Sequence, residues 1–152
     1  MKKIKIYSDG ACLSNPGPGG YCAILTYEGA EKVVSGGAAH TTNNKMELLA
    51  AISGLEAVKA GANCEIELYT DSKYVADGIT KGWAESWRRR NWMKSDRSPA
   101  LNPELWERLL AAIERPGKSV RFIWIKGHNG HPYNERCDKI AKNNAEEYKN
   151  KS

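Results

Sequence analysis

The hydrophobic pattern of this chain changes its period partway along, and that change limits the possible folds more than any other feature. Residues 3–9, 20–29 and 31–41 alternate as strands do and are joined by short connections. From Thr42 the apolar residues instead follow the period of a helix, which Gly61 would end. We therefore expect an antiparallel meander of three strands followed by a helix.

Strands and helices alternate in the rest of the chain. The pattern predicts strands at residues 64–70 and 120–125, and four helices: residues 71–79, a short segment with Trp83 and Trp87, a helix that begins at Asn102-Pro103 and ends before Pro116-Gly117, and a terminal helix from Pro132 to about Glu147. Strands four and five each follow a helix, so each should lie parallel to a neighbour. The expected fold class is α/β with a mixed sheet.

Glycine and proline dominate residues 14–20, between the first two predicted strands. They predict a tight, non-helical connection. The segment is not expected to cradle a phosphate, because it lacks the Gly-Lys-Ser/Thr ending and does not precede a helix.

Length and cysteine content restrict the class of protein. A chain of 152 residues, 41% of them hydrophobic, suits one globular domain, which we expect to span residues 1–152. No apolar stretch approaches the roughly 20 residues of a membrane span, and the N-terminus lacks a signal-peptide pattern, so we expect a cytoplasmic protein. The four cysteines form no Cys-x-x-Cys pair and should be reduced and mostly buried.

Most of the positive charge lies in one segment. The formal net charge is +5, and residues 81–97 contain six basic and two acidic residues, an excess of +4. Three of the five tryptophans lie here too, and bases interleaved with aromatic rings suit a nucleic-acid surface. Two interpretations without nucleic acid remain open. Trp83 and Trp87 could pack in the core, and residues 88–90 could be a charged turn exposed to solvent.

Four acidic residues lie where they could meet at one edge of the sheet. Asp9 ends the first predicted strand and Asp71 follows the fourth, while Glu47 and Asp138 lie in the first and last helices. Each alone suits an ordinary turn, cap or surface position. If they converge, their mutual repulsion requires a cation, and carboxylate oxygens select Mg²⁺ or Mn²⁺ over zinc.

Five separated motifs resemble those of bacterial type 1 ribonuclease H. The first motif consists of YSDGAC at residues 7–12 together with NPGPGG at 15–20. The other four are TTNNKMEL at 41–48, TDSKYV at 70–75, WIKGH at 124–128 and NERCD at 134–138. The similarity runs in order over nearly the whole chain. A single motif of this kind would be weak evidence, but five in the right order are specific.

The resemblance implies a five-stranded sheet in the order 3-2-1-4-5, with helices on both faces. It assigns the catalytic and metal-binding roles to Asp9, Glu47, Asp71 and Asp138. By that resemblance, Asp9 and the scissile phosphate bridge two Mg²⁺ ions, Glu47 and Asp71 complete one site and Asp138 the other, and Mn²⁺ substitutes. The RNA strand of an RNA/DNA hybrid would be cut to leave 5′-phosphate and 3′-hydroxyl ends.

The loop with His128 permits three interpretations. The matching histidine of the family shuttles protons, and a group that titrates near neutrality between Gly127 and Gly130 suits that role. A surface histidine without a function is one alternative. Zinc binding with His131 and Cys137 is another, but the spacing fits no common zinc site and a fourth ligand is missing. Glu135 is a competing acid, for which we expect a supporting role rather than a metal ligand.

The resemblance also indicates how a hybrid would be held. It identifies residues 81–97 with the basic protrusion of the family, which grips the DNA strand. Thr42 and Asn102 match positions that hold a DNA phosphate, whereas His40 stands where a basic residue is more usual. The residues expected to bind substrate, several of which also suit turns or caps, are Cys12, Asn15, Thr42, Asn43, Asn44, Lys73, Trp83, Trp87, Arg88, Arg89, Arg90 and Asn102.

The leading hypothesis is therefore a metal-dependent endonuclease for RNA/DNA hybrids. We expect it to act as a monomer, without an obligatory protein partner and without association with a membrane. A DNA-cutting nuclease of the same fold is an alternative, which cleavage of duplex DNA would reveal. A catalytically inactive hybrid-binding module is another, but such a module would be expected to lack a carboxylate, and all four are present.

Overall fold

A computed structural model describes residues 2–59, 61, 63–127 and 131–151. Its elements follow the predicted order: β1 Lys2–Cys12, β2 Gly17–Tyr27, β3 Ala30–Thr41, α1 Asn43–Glu56, β4 Cys64–Thr70, α2 Lys73–Thr80, α3 Trp83–Arg89, α4 Pro103–Ile113, β5 Lys118–Trp124 and α5 Pro132–Lys151. No described helix is both long enough and apolar enough to cross a membrane.

The five strands form one mixed sheet in the order β3-β2-β1-β4-β5. The pairs β1/β2 and β2/β3 are antiparallel, whereas β1/β4 and β4/β5 are parallel. Short connections allow neighbouring strands to run antiparallel in the meander. The parallel pairs need longer crossovers, which the helices before β4 and β5 provide. The predicted topology is confirmed.

Helices cover both faces of the sheet, as expected. Ile6, Ala23 and Leu25 belong to the larger core, on the same side as buried residues of α1. Cys22 and Ile24 alternate with them and pack on the opposite face with Cys137 of α5. The close approach of α1 depends on its small residues, since a Cβ atom at Gly54 would lie 2.8 Å from Cγ2 of Ile6.

The glycine-rich segment differs from its prediction. Only residues 13–16 connect the first two strands, because β2 already begins at Gly17 and pairs with β1 as far as Cys12↔Gly19. Close packing explains these strand glycines: a Cβ atom at Gly19 would lie 2.6 Å from Cγ2 of Thr41, and one at Gly20 would overlap the carbonyl oxygen of Ala141. The expectation of a connection throughout residues 14–20 is therefore wrong.

The last helix is longer than expected. Helix α5 continues to Lys151 instead of fraying after Glu147, and the ring of Tyr148 lies against Gly37 of β3. The cysteines agree with their prediction. All four are free thiols; Cys22, Cys64 and Cys137 are buried and Cys12 is partly exposed.

Candidate active site

The sheet brings Asp9 and Asp71 together. The parallel ladder between β1 and β4 ends at the pair Ser8↔Thr70, and the next residue along the chain is an aspartate in both cases: Asp9 within β1 and Asp71 directly after β4. Asp9 does not end its strand as predicted, because β1 continues to Cys12 and pairs with β2 beyond this point. Asp9 therefore lies where β1 loses β4 as a neighbour, which leaves room for other side chains beside it.

Helix α1 delivers the third carboxylate. Thr42 caps this helix, its Oγ1 accepting a hydrogen bond from the amide of Lys45 at 3.2 Å. The buried Glu47 lies in the second turn, where its Oε1 accepts a hydrogen bond of 2.7 Å from the backbone amide of Gly10. Any side chain at Gly10 would meet the helix, because a Cβ atom there would lie 2.5 Å from the amide nitrogen of Glu47.

Three of the four predicted carboxylates converge. One oxygen from each of Asp9, Glu47 and Asp71 lies within 4.8 Å of the others. Among the residues that the structure describes, no other set of three Asp, Glu, His or Cys side chains brings its ligand atoms this close together. Ser72, and not Asp71, caps helix α2 by accepting from the amide of Val75 at 3.2 Å.

Asp138 approaches the cluster from α5 but is not among the three converging residues. Its Oδ2 forms an ion pair of 3.0 Å with Nζ of Lys142, one helical turn further on. The charge of Asp138 nevertheless acts on Asp9, whose pKa it helps to raise. The arrangement places α5 as the source of a fourth acidic group at this edge of the sheet.

The cluster is poorly suited to remain fully ionised without a cation. Burial, followed by the charges of Asp71 and Asp138, raises the pKa of Asp9 to about 8. Burial and the charge of Asp9 also raise the pKa of Glu47 well above its ordinary value. The buried Oδ2 of Asp9 receives no hydrogen bond from a donor in the described ranges. A divalent cation bound by carboxylate oxygens would satisfy this atom and offset the repulsion.

The zinc alternative finds no support in the described residues. The thiol of the buried Cys137 donates a hydrogen bond of 3.1 Å to the carbonyl oxygen of Tyr7. His131, the residue before α5, is exposed. His128 lies outside the described residues, so its predicted proton-shuttle role stays a prediction.

Several predicted substrate-binding residues lie near the start of α1, the helix that carries Glu47. Oδ1 of Asn15 accepts a hydrogen bond of 3.3 Å from the amide of Asn43, which joins the residue 13–16 connection to the helix. Asn44 is exposed and Thr42 partly so. The thiol of Cys12 lies 2.8 Å from the carbonyl oxygen of Ser14. Cys12, Asn15, Thr42 and Asn43 thus all take part in local hydrogen bonds. The structural interpretation that the sequence left open therefore applies to four of these five predicted substrate-binding residues.

The basic segment divides its aromatic residues between core and surface. Trp83 is 43% exposed, whereas Trp87 packs edge-on against the buried Trp106 with ring centroids 5.9 Å apart. A groove of about 470 Å³ lies between them and the adjoining loop, and it is lined by Tyr74, Trp83, Ser86, Trp87, Arg90, Lys94 and Ser95. The core interpretation therefore fits Trp87 in part, while Trp83 faces solvent.

The three consecutive arginines have different surroundings. Arg88 binds both carboxylate oxygens of Glu114, the residue that caps the end of α4, at 3.0 and 2.6 Å. Arg89 and Arg90 are exposed. The structure therefore separates Arg88, which ties α3 to α4, from two arginines that face solvent.

Lys73 and Asn102 have aromatic partners that the sequence alone did not indicate. Nζ of Lys73 lies 5.1 Å from the ring centroid of Trp124, whose Nε1 donates a hydrogen bond of 3.2 Å to the carbonyl oxygen of Asp71. The hydroxyl of Tyr74 accepts a hydrogen bond of 3.2 Å from Nδ2 of Asn102. Tyr74 belongs to the motif TDSKYV and Trp124 to WIKGH, and membership of these motifs is the signal that could have found them.

Comparisons with known proteins agree with this geometry. The family model described as RNase H matches residues 1–146. A ribonuclease H of Desulforamulus reducens is 55% identical over 141 residues, which cover 93% of this chain and 86% of that protein. A ribonuclease H of Agrobacterium fabrum is 54% identical over 149 residues, covering 98% and 99%.

Solved structures share the fold. LC9-RNase H1, described as a type 1 RNase H with the type 2 active-site motif, superimposes with a TM-score of 0.84 at 28% identity, covering 97% of this chain and 74% of that chain. LC11-RNase H1, solved in complex with an RNA/DNA hybrid, gives a TM-score of 0.69 at 24% identity over 95% and 97%. The match over nearly the whole chain confirms the resemblance found in its motifs: this chain belongs to the ribonuclease H family.

Proposed function

We propose that this protein is a metal-dependent endonuclease that hydrolyses the RNA strand of RNA/DNA hybrids and leaves 5′-phosphate and 3′-hydroxyl ends. The observation that carries the proposal is the convergence of Asp9, Glu47 and Asp71 within 4.8 Å, in a chain of this family. That LC11-RNase H1 has been solved with a hybrid supports the choice of substrate.

The carboxylates are proposed to hold two Mg²⁺ ions, with Mn²⁺ as a substitute. Their oxygens are hard ligands, and the buried Oδ2 of Asp9 points to a missing positive partner. Asp9 would be shared by both ions, Glu47 and Asp71 would complete the site of one ion, and Asp138 would add a ligand from α5 for the other. When bound, the metal supplies an activated water and stabilises the departing 3′ oxygen.

The surrounding residues prepare this centre. The amide of Gly10 holds Glu47 at 2.7 Å, which fixes one carboxylate before a metal arrives. Lys142 lies 3.0 Å from Asp138 and would offset part of its negative charge. We propose that His128 moves a proton during attack or product departure, because an imidazole titrates near neutrality and the matching family residue has that role.

Two surfaces are proposed to grip the hybrid. Cys12, Asn15, Thr42, Asn43 and Asn44 lie together at the beginning of α1 and would contact backbone and groove edges near the carboxylates. Their number of hydrogen-bonding groups suits recognition of 2′-hydroxyls, which distinguish RNA from DNA.

The second surface is the groove of the basic segment, proposed to hold the DNA strand. Trp83, Arg89 and Arg90 offer an exposed ring and two exposed guanidinium groups for phosphate and sugar contacts. Trp87 and Arg88 would support the groove from behind, since they pack against α4 through Trp106 and Glu114. Lys73 and Asn102 are proposed to bind the hybrid between this groove and the centre, each held by an aromatic partner.

We further propose that residues 1–152 act as one catalytic domain, monomeric and cytoplasmic, without an obligatory protein partner. The single sheet with both faces covered by its own helices supports a self-sufficient domain. Light scattering of the purified protein across a concentration series tests the monomeric state.

A cleavage assay with four substrates tests the proposed function. End-labelled RNA/DNA hybrid, double-stranded RNA, single-stranded RNA and duplex DNA are each incubated with the protein and Mg²⁺, and then with a chelator. The proposal requires cleavage of the hybrid alone, in its RNA strand, and no cleavage with chelator. Cleavage of duplex DNA would favour a DNA-cutting nuclease, and binding of hybrid without cleavage would favour an inactive binding module.

A further inference from the structure

Three tyrosine rings form a continuous stack in this protein. The ring of Tyr7 lies in the middle, with its centroid 5.1 Å from that of Tyr69 and 4.7 Å from that of Tyr133. The interplanar angles are 13° and 20°, so both contacts are face-to-face stacks. We name these three residues the tyrosine stack.

Each ring of the tyrosine stack belongs to an element that carries or adjoins a proposed metal ligand. Tyr7 and Tyr69 pair across β1 and β4 and each stands two residues before an aspartate, Asp9 or Asp71. Tyr133 lies in the first turn of α5, five residues before Asp138. The stack therefore links all three elements that deliver aspartates to the centre.

The contact between Tyr133 and Tyr7 also holds the beginning of α5 in one place. The thiol of Cys137 donates to the carbonyl oxygen of the same Tyr7 at 3.1 Å, and Arg136 pairs with Glu31 of β3 at 2.9 Å. The hydrogen bond from Arg136 and, to a smaller extent, that from the hydroxyl of Tyr133 lower the pKa of the Glu31 carboxyl. The first two turns of α5 are thus fixed to β1 and β3 together.

The three aspartates need such a constraint, because Asp9 is buried while Asp71 and Asp138 are partly exposed and come from other elements. Whenever all three are ionised without a cation, their charges repel one another, and a separation of α5 from β1 would relieve the repulsion between Asp138 and Asp9. A stack that spans β4, β1 and α5 opposes this separation without contributing a charge of its own. Substitution of residues that orient metal ligands from behind commonly lowers metal affinity by about tenfold or more.

We propose that the tyrosine stack is a positioning device for the metal centre, which sets the spacing of Asp71, Asp9 and Asp138 before a cation binds. The inference rests on the proposed function and adds Tyr7, Tyr69 and Tyr133 to it as positioning residues. Tyr133 is partly exposed, and buried Cys137, Ala141 and Ala145 pack along the rest of α5. Loss of its ring should therefore alter the centre more than the folded state.

Variants of Tyr133 test the proposal through metal affinity. Tyr133→Leu removes the stacking ring, whereas Tyr133→Phe keeps it and removes only the hydroxyl. Tyr148→Leu is the matched control, because this tyrosine lies on the same helix, is also partly exposed, and packs on β3 against Gly37. Mg²⁺ binding is measured by calorimetry without nucleic acid, and cleavage of hybrid is measured over a range of Mg²⁺ concentrations.

We expect Tyr133→Leu to weaken Mg²⁺ binding by about tenfold and to raise the half-maximal Mg²⁺ concentration for cleavage by a similar factor. KM for hybrid at saturating Mg²⁺ should remain unchanged, and Tyr133→Phe and Tyr148→Leu should match the wild type. Tyr69→Leu, which leaves α5 untouched, should shift Mg²⁺ affinity in the same direction and serves if Tyr133→Leu does not fold.

Wild-type Mg²⁺ affinity in folded Tyr133→Leu, or an equal loss in Tyr133→Phe, would overturn the positioning role of the ring. The proposed function has a separate failure: a wild-type protein that binds Mg²⁺ but does not cut hybrid. The calorimetric comparison remains decisive for the stack in that case.

Discussion

The backbone amide of Gly10 and Oε1 of Glu47 are joined by a hydrogen bond of 2.7 Å, which connects the middle strand of the sheet to the helix that packs on it. The bond depends on the absence of a side chain at position 10, because a Cβ atom there would lie 2.5 Å from the amide nitrogen of Glu47. Strand and helix therefore approach each other closely at the point where the carboxylates meet.

Gly10→Ala should separate this strand from α1 and disrupt the centre. We expect the rate of hybrid cleavage to fall at least about 10²-fold, since small displacements of reacting groups have effects of that size. The free energy of unfolding should fall by about 1 to 3 kcal/mol from overpacking. Steady-state kinetics and chemical denaturation measure the two quantities.

Gly29→Ala is the matched control for that substitution. Gly29 has a φ angle of +83°, and a Cβ atom added to it would have no neighbour within 4 Å among the described residues. An alanine there therefore costs conformational strain without touching the centre. It should lower stability by about 1 kcal/mol and leave turnover unchanged. Equal turnover in the two variants would show that the centre does not depend on the close approach at Gly10.

The metal-free protein should lose stability as the pH rises. The pKa of Asp9 is raised to about 8 in the folded state, against about 4 in an unfolded chain, so the folded state binds this proton more tightly. Its contribution to the free energy of unfolding is fully present below about pH 4, falls as the pH rises towards 8, and is then constant. Glu47, whose pKa is also raised, contributes with the same sign.

Asp9→Asn should reduce that pH dependence. In chelator at pH 8.5, we expect the variant to be more stable than the wild type by roughly 2 kcal/mol, because it removes a buried charge without changing volume. At pH 4 the difference should nearly vanish. Denaturant titrations at the two pH values measure this difference in the free energy of unfolding. A wild type that becomes more stable from pH 4 to pH 8.5, while the stability of the variant stays the same, would contradict the raised pKa of Asp9.

The sequence predicts the order of helices and strands well, because each element has its own hydrophobic periodicity. It predicts poorly which residues of different elements pair or pack against each other. The alternation of Ile4 and Ile6 did not show that β1 continues past Asp9, because that extension depends on pairing with β2. Residues 17–20 resemble a connection since glycine is common in turns, but the reason for these glycines is the approach of α5 and Thr41.

The same distinction holds for the candidate site. The motifs identify Asp9, Glu47 and Asp71, and the fold brings them together. The ion pair of Arg88 with Glu114 and the stack of Tyr7 with Tyr133 join residues 26 and 126 positions apart, so no local pattern could have indicated them.

His128→Ala should reduce turnover without removing it. General acid and base assistance contributes about 10² to 10⁴ in rate, so the loss should not exceed that range, and Mg²⁺ affinity should change little. His131→Ala, an exposed neighbour in the same region, is the control and should behave as the wild type. A collapse of calorimetric Mg²⁺ binding in His128→Ala would show a metal ligand instead of a proton shuttle.

The exposed arginines should contribute to the salt dependence of hybrid binding. The double variant Arg89→Ala/Arg90→Ala should reduce the slope of log K against log salt by up to about 2, because each arginine that neutralises a phosphate contributes about one. KM should rise while kcat and the choice of the RNA strand persist, because the proposed metal centre and the residues proposed to recognise 2′-hydroxyls do not include these arginines.

Arg88→Ala provides the matched control for charge. It removes the same unit charge from α3, but its guanidinium is held by Glu114, so we expect a stability loss of at most about 1 kcal/mol and an unchanged salt slope. A double variant with wild-type affinity and slope would reduce residues 89 and 90 to a solvated turn.

The carboxylate-bound metal centre is tested most directly by cleavage of an end-labelled RNA/DNA hybrid by wild type and by Asp9→Asn, in Mg²⁺ and at equal folded concentrations verified by circular dichroism. The wild type should cut the RNA strand, and the variant should have no detectable turnover, because one carboxylate charge has been removed from the centre of the cluster. Ca²⁺ should bind the wild type and support little reaction, since its longer and looser coordination misplaces the reacting groups. Near-normal cleavage by folded Asp9→Asn would contradict a reaction that depends on metal held by this carboxylate.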